Sequence, residues 1–166
     1  MHWIDNLGGP LVAIEDRLLN AWHGATGFPA LDTHYDRACQ IRDYLGVVAV
    51  SSGSALVLGD EPMTTSWLPN QRWGAGLIVR WMYASNEGAV LRELTSLPDI
   101  LFADPVVWQV GDDGQVLFDS ALNGPEGPDR AIQLSLLRGA YRVDTCVYKP
   151  DDEMCLVLHR VQRHGH

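Results

Sequence analysis

Short apolar runs broken by Gly, Pro, Asn and Asp dominate this chain, a pattern that predicts strands and turns more than helices. His2–Asp5 and Pro10–Glu15, separated by Asn6-Leu7-Gly8-Gly9, read as an opening β-hairpin. Val47–Ser51 and Ala55–Leu58 flank Ser52-Gly53-Ser54 as a second hairpin, and Met63–Leu68 reads as a short strand before Pro69. Gly76–Ala84 holds Leu77-Ile78-Val79-Arg80-Trp81-Met82-Tyr83, whose mixed character predicts burial on both faces and a central place in a sheet. Further on, Val106–Val110 and Gln115–Asp119 enclose Gly111-Asp112-Asp113-Gly114 as a hairpin, and Ala131–Leu136 is extended. Tyr141–Tyr148 and Glu153–Val161 enclose Lys149-Pro150-Asp151-Asp152. A four-residue loop there sets Val143 opposite Leu158, Thr145 opposite Leu156 and Val147 opposite Met154 on the core face. The same register sets Arg142 opposite His159, Tyr148 opposite Glu153 and Cys146 opposite Cys155 on the other face.

Helical spacing occurs in three places. Leu18, Leu19 and Trp22 follow Asp16 and end at Gly24; Tyr35, Ala38, Cys39, Ile41, Arg42 and Leu45 form a stripe that stops at Gly46. Val90, Leu91, Leu94 and Leu97 follow Ser85 as N-cap and end before Pro98. The expected fold is α+β, mainly an antiparallel twisted sheet or partly closed barrel with about three packed helices. An open sheet and a two-sheet sandwich both satisfy the pattern. One domain spanning 1–166 is expected, its last residues, 161–166, a frayed tail.

Charge narrows the partners. Twelve Lys plus Arg stand against 21 Asp plus Glu, a formal net charge of −9. Phosphate contacts need clustered Lys and Arg, so nucleic acid is not the expected partner, whereas a basic protein is. No apolar run approaches the roughly 20 residues of a membrane span, and Met1–Gly9 lacks the basic start and apolar centre of a secretory signal. Three cysteines without framework spacing fit a reducing compartment. A cytoplasmic location follows as the expectation.

Candidate chemistry is sparse. The histidines His2, His23, His34, His159, His164 and His166 make no HExxH or same-face pair, so no metal is expected. Cys39 sits beside Ala38 and Ile41 as a core thiol without an activating Lys or His. The glycines make no phosphate-cradling loop, Ser51, Ser52 and Ser54 make no nucleophile elbow, and no cofactor is expected. Acidic clusters at Asp60-Glu61, Asp112-Asp113 and Asp151-Asp152-Glu153 all fall in predicted turns, where exposure keeps carboxylates ionised. Trp67 and Trp73 flank Asn70, Gln71 and Arg72 in an irregular stretch just after Asp60-Glu61. Indoles beside carboxylates suit an interface with a cationic protein, combining contact area with charge steering; loops also tuck such indoles into a core. The candidate partner-binding set is therefore Asp60, Glu61, Trp67, Trp73, Asp112, Asp113, Asp151 and Asp152, with no catalytic residue.

In order along the chain, WIDNLGGPLVAI, DYLGVVAV, SALVLGDEP, TTSWLP, LIVRWMYA, VLFDS, RGAYRVDT and LVLHRV resemble the Immunity protein 21 family of bacterial polymorphic toxin systems, over about Trp3 to Val161. The resemblance implies a small α+β cytoplasmic protein that neutralises a toxin encoded beside it by binding rather than turnover. An acidic immunity protein would suit a toxin with a basic surface, such as a nuclease. Two other functions compete: a small-molecule-binding or regulatory β-domain with a Trp-lined pocket, and a hydrolase with two carboxylates converging in a cleft.

Overall fold

The computed structural model describes residues 1–25, 32–59, 63–111 and 114–165. In chain order its strands are β1 (Trp3–Ile4), β2 (Leu11–Glu15), β3 (Leu45–Val50), β4 (Gly53–Leu58), β5 (Thr64–Pro69), β6 (Gly76–Tyr83), β7 (Ala103–Val110), β8 (Gln115–Asp119), β9 (Ile132–Leu134), β10 (Gly139–Tyr148) and β11 (Cys155–Arg163). They form a six-stranded sheet, β1-β5-β6-β11-β10-β7, and a five-stranded sheet, β3-β4-β2-β8-β9. Both are antiparallel, so the α+β expectation holds, but as two separate sheets neither of which closes into a barrel.

Alternation along the strands builds three apolar layers. Leu11, Ala13, Leu56 and Leu117 of the smaller sheet meet Trp67, Ile78, Trp108, Tyr141 and Val161 of the larger one. Their strand neighbours Val12, Ile14, Val57, Val116 and Phe118 point outward, under Leu18, Trp22 and Ala38. On the far side of the larger sheet, Leu77, Val79, Leu156 and Leu158 lie under Val90, Leu94, Leu97 and Phe102. Both faces of both sheets are thus covered, which explains why β2 and β8 are buried at every position and why their centres, Leu11–Ile14 and Val116–Phe118, are apolar without alternation.

The three expected helices occur as a 3₁₀ helix (Asp16–Ala21) and two α-helices, α1 (His34–Cys39) and α2 (Glu87–Thr95). Asn86, not Ser85, caps α2, its side chain accepting the Ala89 N–H at 3.0 Å. The stripe read as far as Leu45 breaks after Cys39, because Leu45 and Gly46 are already in β3. Gly46 serves packing and not helix termination: a Cβ there would come within 2.6 Å of the Ile41 side chain.

Hairpin β3–β4 forms, but its turn is the two residues Ser51-Ser52 and not Ser52–Ser54: Gly53 and Ser54 already pair in β4, opposite Val50 and Ala49, and Ser51 is at φ +51°. β6 takes the interior place predicted for it, between β5 and β11. Two expected hairpins are absent. β1 pairs with β5 in the larger sheet while β2 lies between β4 and β8 in the smaller one, so Asn6–Gly9 carries the chain between sheets. β7 and β8 likewise belong to different sheets. Buried Glu15 secures that crossing by accepting the Gly111 N–H at 3.0 Å, and the Gly114 carbonyl accepts the Asp16 N–H at 3.1 Å.

The β10–β11 register is also corrected. β11 starts at Cys155, so Val143 faces Val161, Thr145 faces His159, Cys146 faces Leu158 and Tyr148 faces Leu156. The turn is longer than expected because Asp151 Oδ1 accepts the Glu153 N–H at 2.8 Å and Lys149 pairs with Asp152 at 2.9 Å, keeping Glu153 out of the strand. An odd slip exchanges faces. Leu156 and Leu158 therefore point to α2 with Cys146, while Val143, Thr145 and Val147 point with His159 toward the second sheet.

Candidate functional site

The inter-sheet face of the larger sheet is apolar at one end and polar at the other. Trp67, Ile78, His159 and Thr145 lie across it in one row of paired residues, and Thr65, Arg80, Val157 and Val147 in the next. Thr65, Arg80 and His159 are fully buried and Thr145 nearly so. His159 Nδ1 and Thr145 Oγ1 are 2.9 Å apart, and Arg80 Nη1 donates to the Gly59 carbonyl at 2.7 Å. Gly59 is held where β4 ends by its N–H to the Tyr44 carbonyl, 3.0 Å, and any Cβ there would sit 2.3 Å from the Asp43 carbonyl oxygen. Burial, helped by the charge of Arg80, holds the His159 imidazole well below its usual pKa and so neutral. Its Nε2 has no hydrogen-bond partner among the described residues.

Thr145 opens on a cleft of about 510 Å³ between Asp43–Leu45 before and at the start of β3 and Asp104–Val106 of β7, with Arg42 also on its wall. Two irregularities shape it. The β10–β7 pairing shifts register between Val143 and Thr145, and Asp104 is at φ +51° immediately before Pro105. Proline disfavours the compact conformations of the residue before it, so this backbone is strained, a feature that concentrates at binding sites.

Past Thr145 the larger sheet continues. Val147, Met82 and Tyr83 are exposed there. Tyr83 pairs with Cys155 across a second register shift, and Met82 Sδ lies 3.5 Å from Cys155 Sγ. Beyond them, the β10–β11 turn exposes Asp151, Asp152 and Glu153. Asp152, and then Tyr83, raise the pKa of Lys149.

Of the sequence candidates, Asp151 and Asp152 are exposed at this end. Asp60, Glu61, Asp112 and Asp113 lie outside the described residues; Gly59 borders the first pair at the cleft end, while Gly111 and Gly114 border the second where β7 ends and β8 begins. The two indoles need correction as exposed anchors. Trp67 is in β5 and packs between the sheets, and Trp73 packs beside Phe102 with Arg72 stacked 4.6 Å above its ring, leaving them 9% and 6% exposed. The expected core thiol Cys39 is exposed instead, at the end of α1. Sequence reading missed Thr145, His159, Arg80 and Asp104. The two charged or ionisable residues inside β-runs and the Asp104-Pro105 pair were the available signals.

Among the described residues no three His, Cys, Asp or Glu side chains group as a metal set, and no helix is long and apolar enough to cross a membrane. What stands out is an α+β double-sheet scaffold with one acidic, partly open end. The family model Immunity protein 21 matches residues 2–154, and the chain belongs to that family. Comparison with curated proteins and with solved structures gives no match.

Proposed function

We propose that this protein binds a cognate toxin domain in the cytoplasm of a bacterium with a polymorphic toxin system, and neutralises it by covering it, without turning over a substrate. The family match over most of the chain carries this reading. A net charge of −9 supports a basic partner, for which a nuclease domain is the best fit, because opposite charge speeds capture and fills a cationic substrate cleft. Asp60, Glu61, Asp112, Asp113, Asp151 and Asp152 remain the acidic contact candidates. Co-expression with the adjacent toxin gene tests the reading: growth is rescued by the chain, and replacing Asp60 and Glu61 with Lys weakens the rescue. Growth arrest that persists with the wild-type chain present refutes it.

One observation favours a second reading. The cleft beside Thr145 has the size of a small-molecule pocket, and His159 is bonded to that threonine from the sheet interior. A ligand retained through purification, seen by native mass spectrometry and lost in Thr145→Val, would select a ligand-binding β-domain.

A further inference from the structure

The strands of the larger sheet outrun the cover of the smaller one at its polar end. Val147 is 49% exposed, Tyr83 41% and Met82 40%. Val147 and Tyr83 lie on the inter-sheet face by their pairing with Val157 and Cys155, and the Met82 sulfur is drawn to that face by Cys155. Leu7, Leu101 and Leu137 are exposed singly in connecting segments, which is ordinary for a protein surface. Val147 on β10 and Met82 and Tyr83 on β6 flank the buried Val157 and Cys155 of β11 at one sheet end, and a partner there covers them together.

Charge around this patch is one-sided. Asp43, Asp104, Asp151, Asp152 and Glu153 are exposed there against Arg42 and Lys149, and Lys149 is engaged by Asp152. The opposite ends of the same strands carry exposed Arg138, which precedes β10, and Arg163, which closes β11. Along β10 and β11 exposed charge therefore runs from acidic at the Tyr83 end to basic at the other, and a cationic surface approaching these two strands is turned toward the Tyr83 end.

We infer that this end is the toxin-docking surface, with Tyr83, Met82 and Val147 as its apolar centre and the five carboxylates as its rim. The occupant is a basic protein face that presents an apolar spot among Lys and Arg. Tyr83 offers such a face both ring area and a π-surface for a cation. The assignment rests on the immunity reading and narrows it to one end of the molecule.

The probe is the purified, catalytically inactivated toxin domain encoded beside this gene, titrated calorimetrically into the full chain. Tyr83→Ala is expected to weaken binding by about 30-fold or more, the effect of losing a central anchor. Replacing Asp151 and Asp152 with Lys slows association at low salt by roughly tenfold. Arg138→Glu, at the other end, leaves Kd within about twofold. Amide hydrogen exchange on the wild-type complex adds a readout free of mutation: protection at 82–84 and 147–153 is expected. Wild-type binding with Tyr83→Ala unchanged, or protection confined to other segments, overturns the docking face and leaves the immunity reading standing. A wild-type chain that does not bind the domain overturns both.

Discussion

His159 makes the pH dependence of stability a quantitative test of the polar end. The imidazole is fully buried, bonded to Thr145 and near Arg80, and both burial and that neighbouring charge hold its pKa well below 6.5 in the folded state. Released into the unfolded chain, it titrates near about 6.5. Below that pH the unfolded state takes up a proton that the folded state refuses, so stability falls as the solution becomes more acidic. The slope approaches about 1.4 kcal/mol per pH unit, which integrates to as much as about 2 kcal/mol between pH 8 and pH 5. Replacing His159 with Asn removes the titration and keeps a side chain able to bond Thr145. Urea unfolding followed by fluorescence of the six tryptophans, at several pH values across this range, reads both proteins. Carboxylate titrations are common to the two and cancel in the difference. Wild type is expected to lose up to about 2 kcal/mol more than the variant on acidification. Parallel stability curves would refute a neutral buried imidazole.

Asp144 is fully buried and bonded by Arg160 at 2.8 and 3.0 Å and by Arg142 at 3.1 Å, with the Arg160 guanidinium stacked 4.4 Å from Phe102. Asp144→Ala leaves two neighbouring cations unpaired and should cost about 3 kcal/mol, at the low end for a broken buried pair because both arginines reach water; a loss under about 1 kcal/mol in urea unfolding contradicts the geometry. A Cβ on Gly124 would lie 1.7 Å from the Leu19 carbonyl oxygen, so Gly124→Ala should lower stability by more than about 2 kcal/mol, read as a drop in Tm. Cys39 is exposed, Cys155 is buried and Cys146 is half-buried with its pKa raised by burial. A thiol reagent at neutral pH should therefore titrate Cys39 fast, with all three thiols appearing on unfolding under non-reducing conditions; a single thiol in the unfolded chain would reveal a Cys146–Cys155 disulfide, which their places on opposite faces of the sheet disfavour.

Strands were legible in this chain because their signal is local: β-branched and aromatic runs stopped by Gly, Pro and Asp. Which strand joins which sheet was not. Asn6–Gly9 and Gly111–Gly114 look like hairpin turns, yet each carries the chain from one sheet to the other, a choice set by burial of Leu11–Glu15 and Gln115–Asp119 on two faces at once. The β10–β11 register slipped for a similar reason. Side-chain bonds inside the turn, from Asp151 and Lys149, decide where pairing begins, and apolar alternation alone does not see them. At the candidate site, Asp151 and Asp152 could be placed on the surface from turn chemistry. The inward side of Arg80, His159 and Thr145 required the register, and the burial of Trp67 and Trp73 required the second sheet and Phe102.

Covering both faces of both sheets has a consequence for recognition. Rigid apolar area that a partner could reach must come from strand edges, helix backs or sheet ends. The edge strand β7 carries the strained Asp104-Pro105 pair directly after its first residue, Ala103, and the proline has no N–H to donate to an added strand. Two carboxylates of α2 are already engaged near the chain start and the sheet: Glu87 accepts from Trp3 Nε1 at 2.8 Å, and Glu93 accepts from the Tyr148 hydroxyl. The overhanging end of β6, β10 and β11 is framed on one side by a cleft and on the other by an ordered acidic turn, and its side chains project from hydrogen-bonded strands. Ordering costs at such a surface are met during folding and not at the moment of binding, which is the condition for tight capture from a modest contact area.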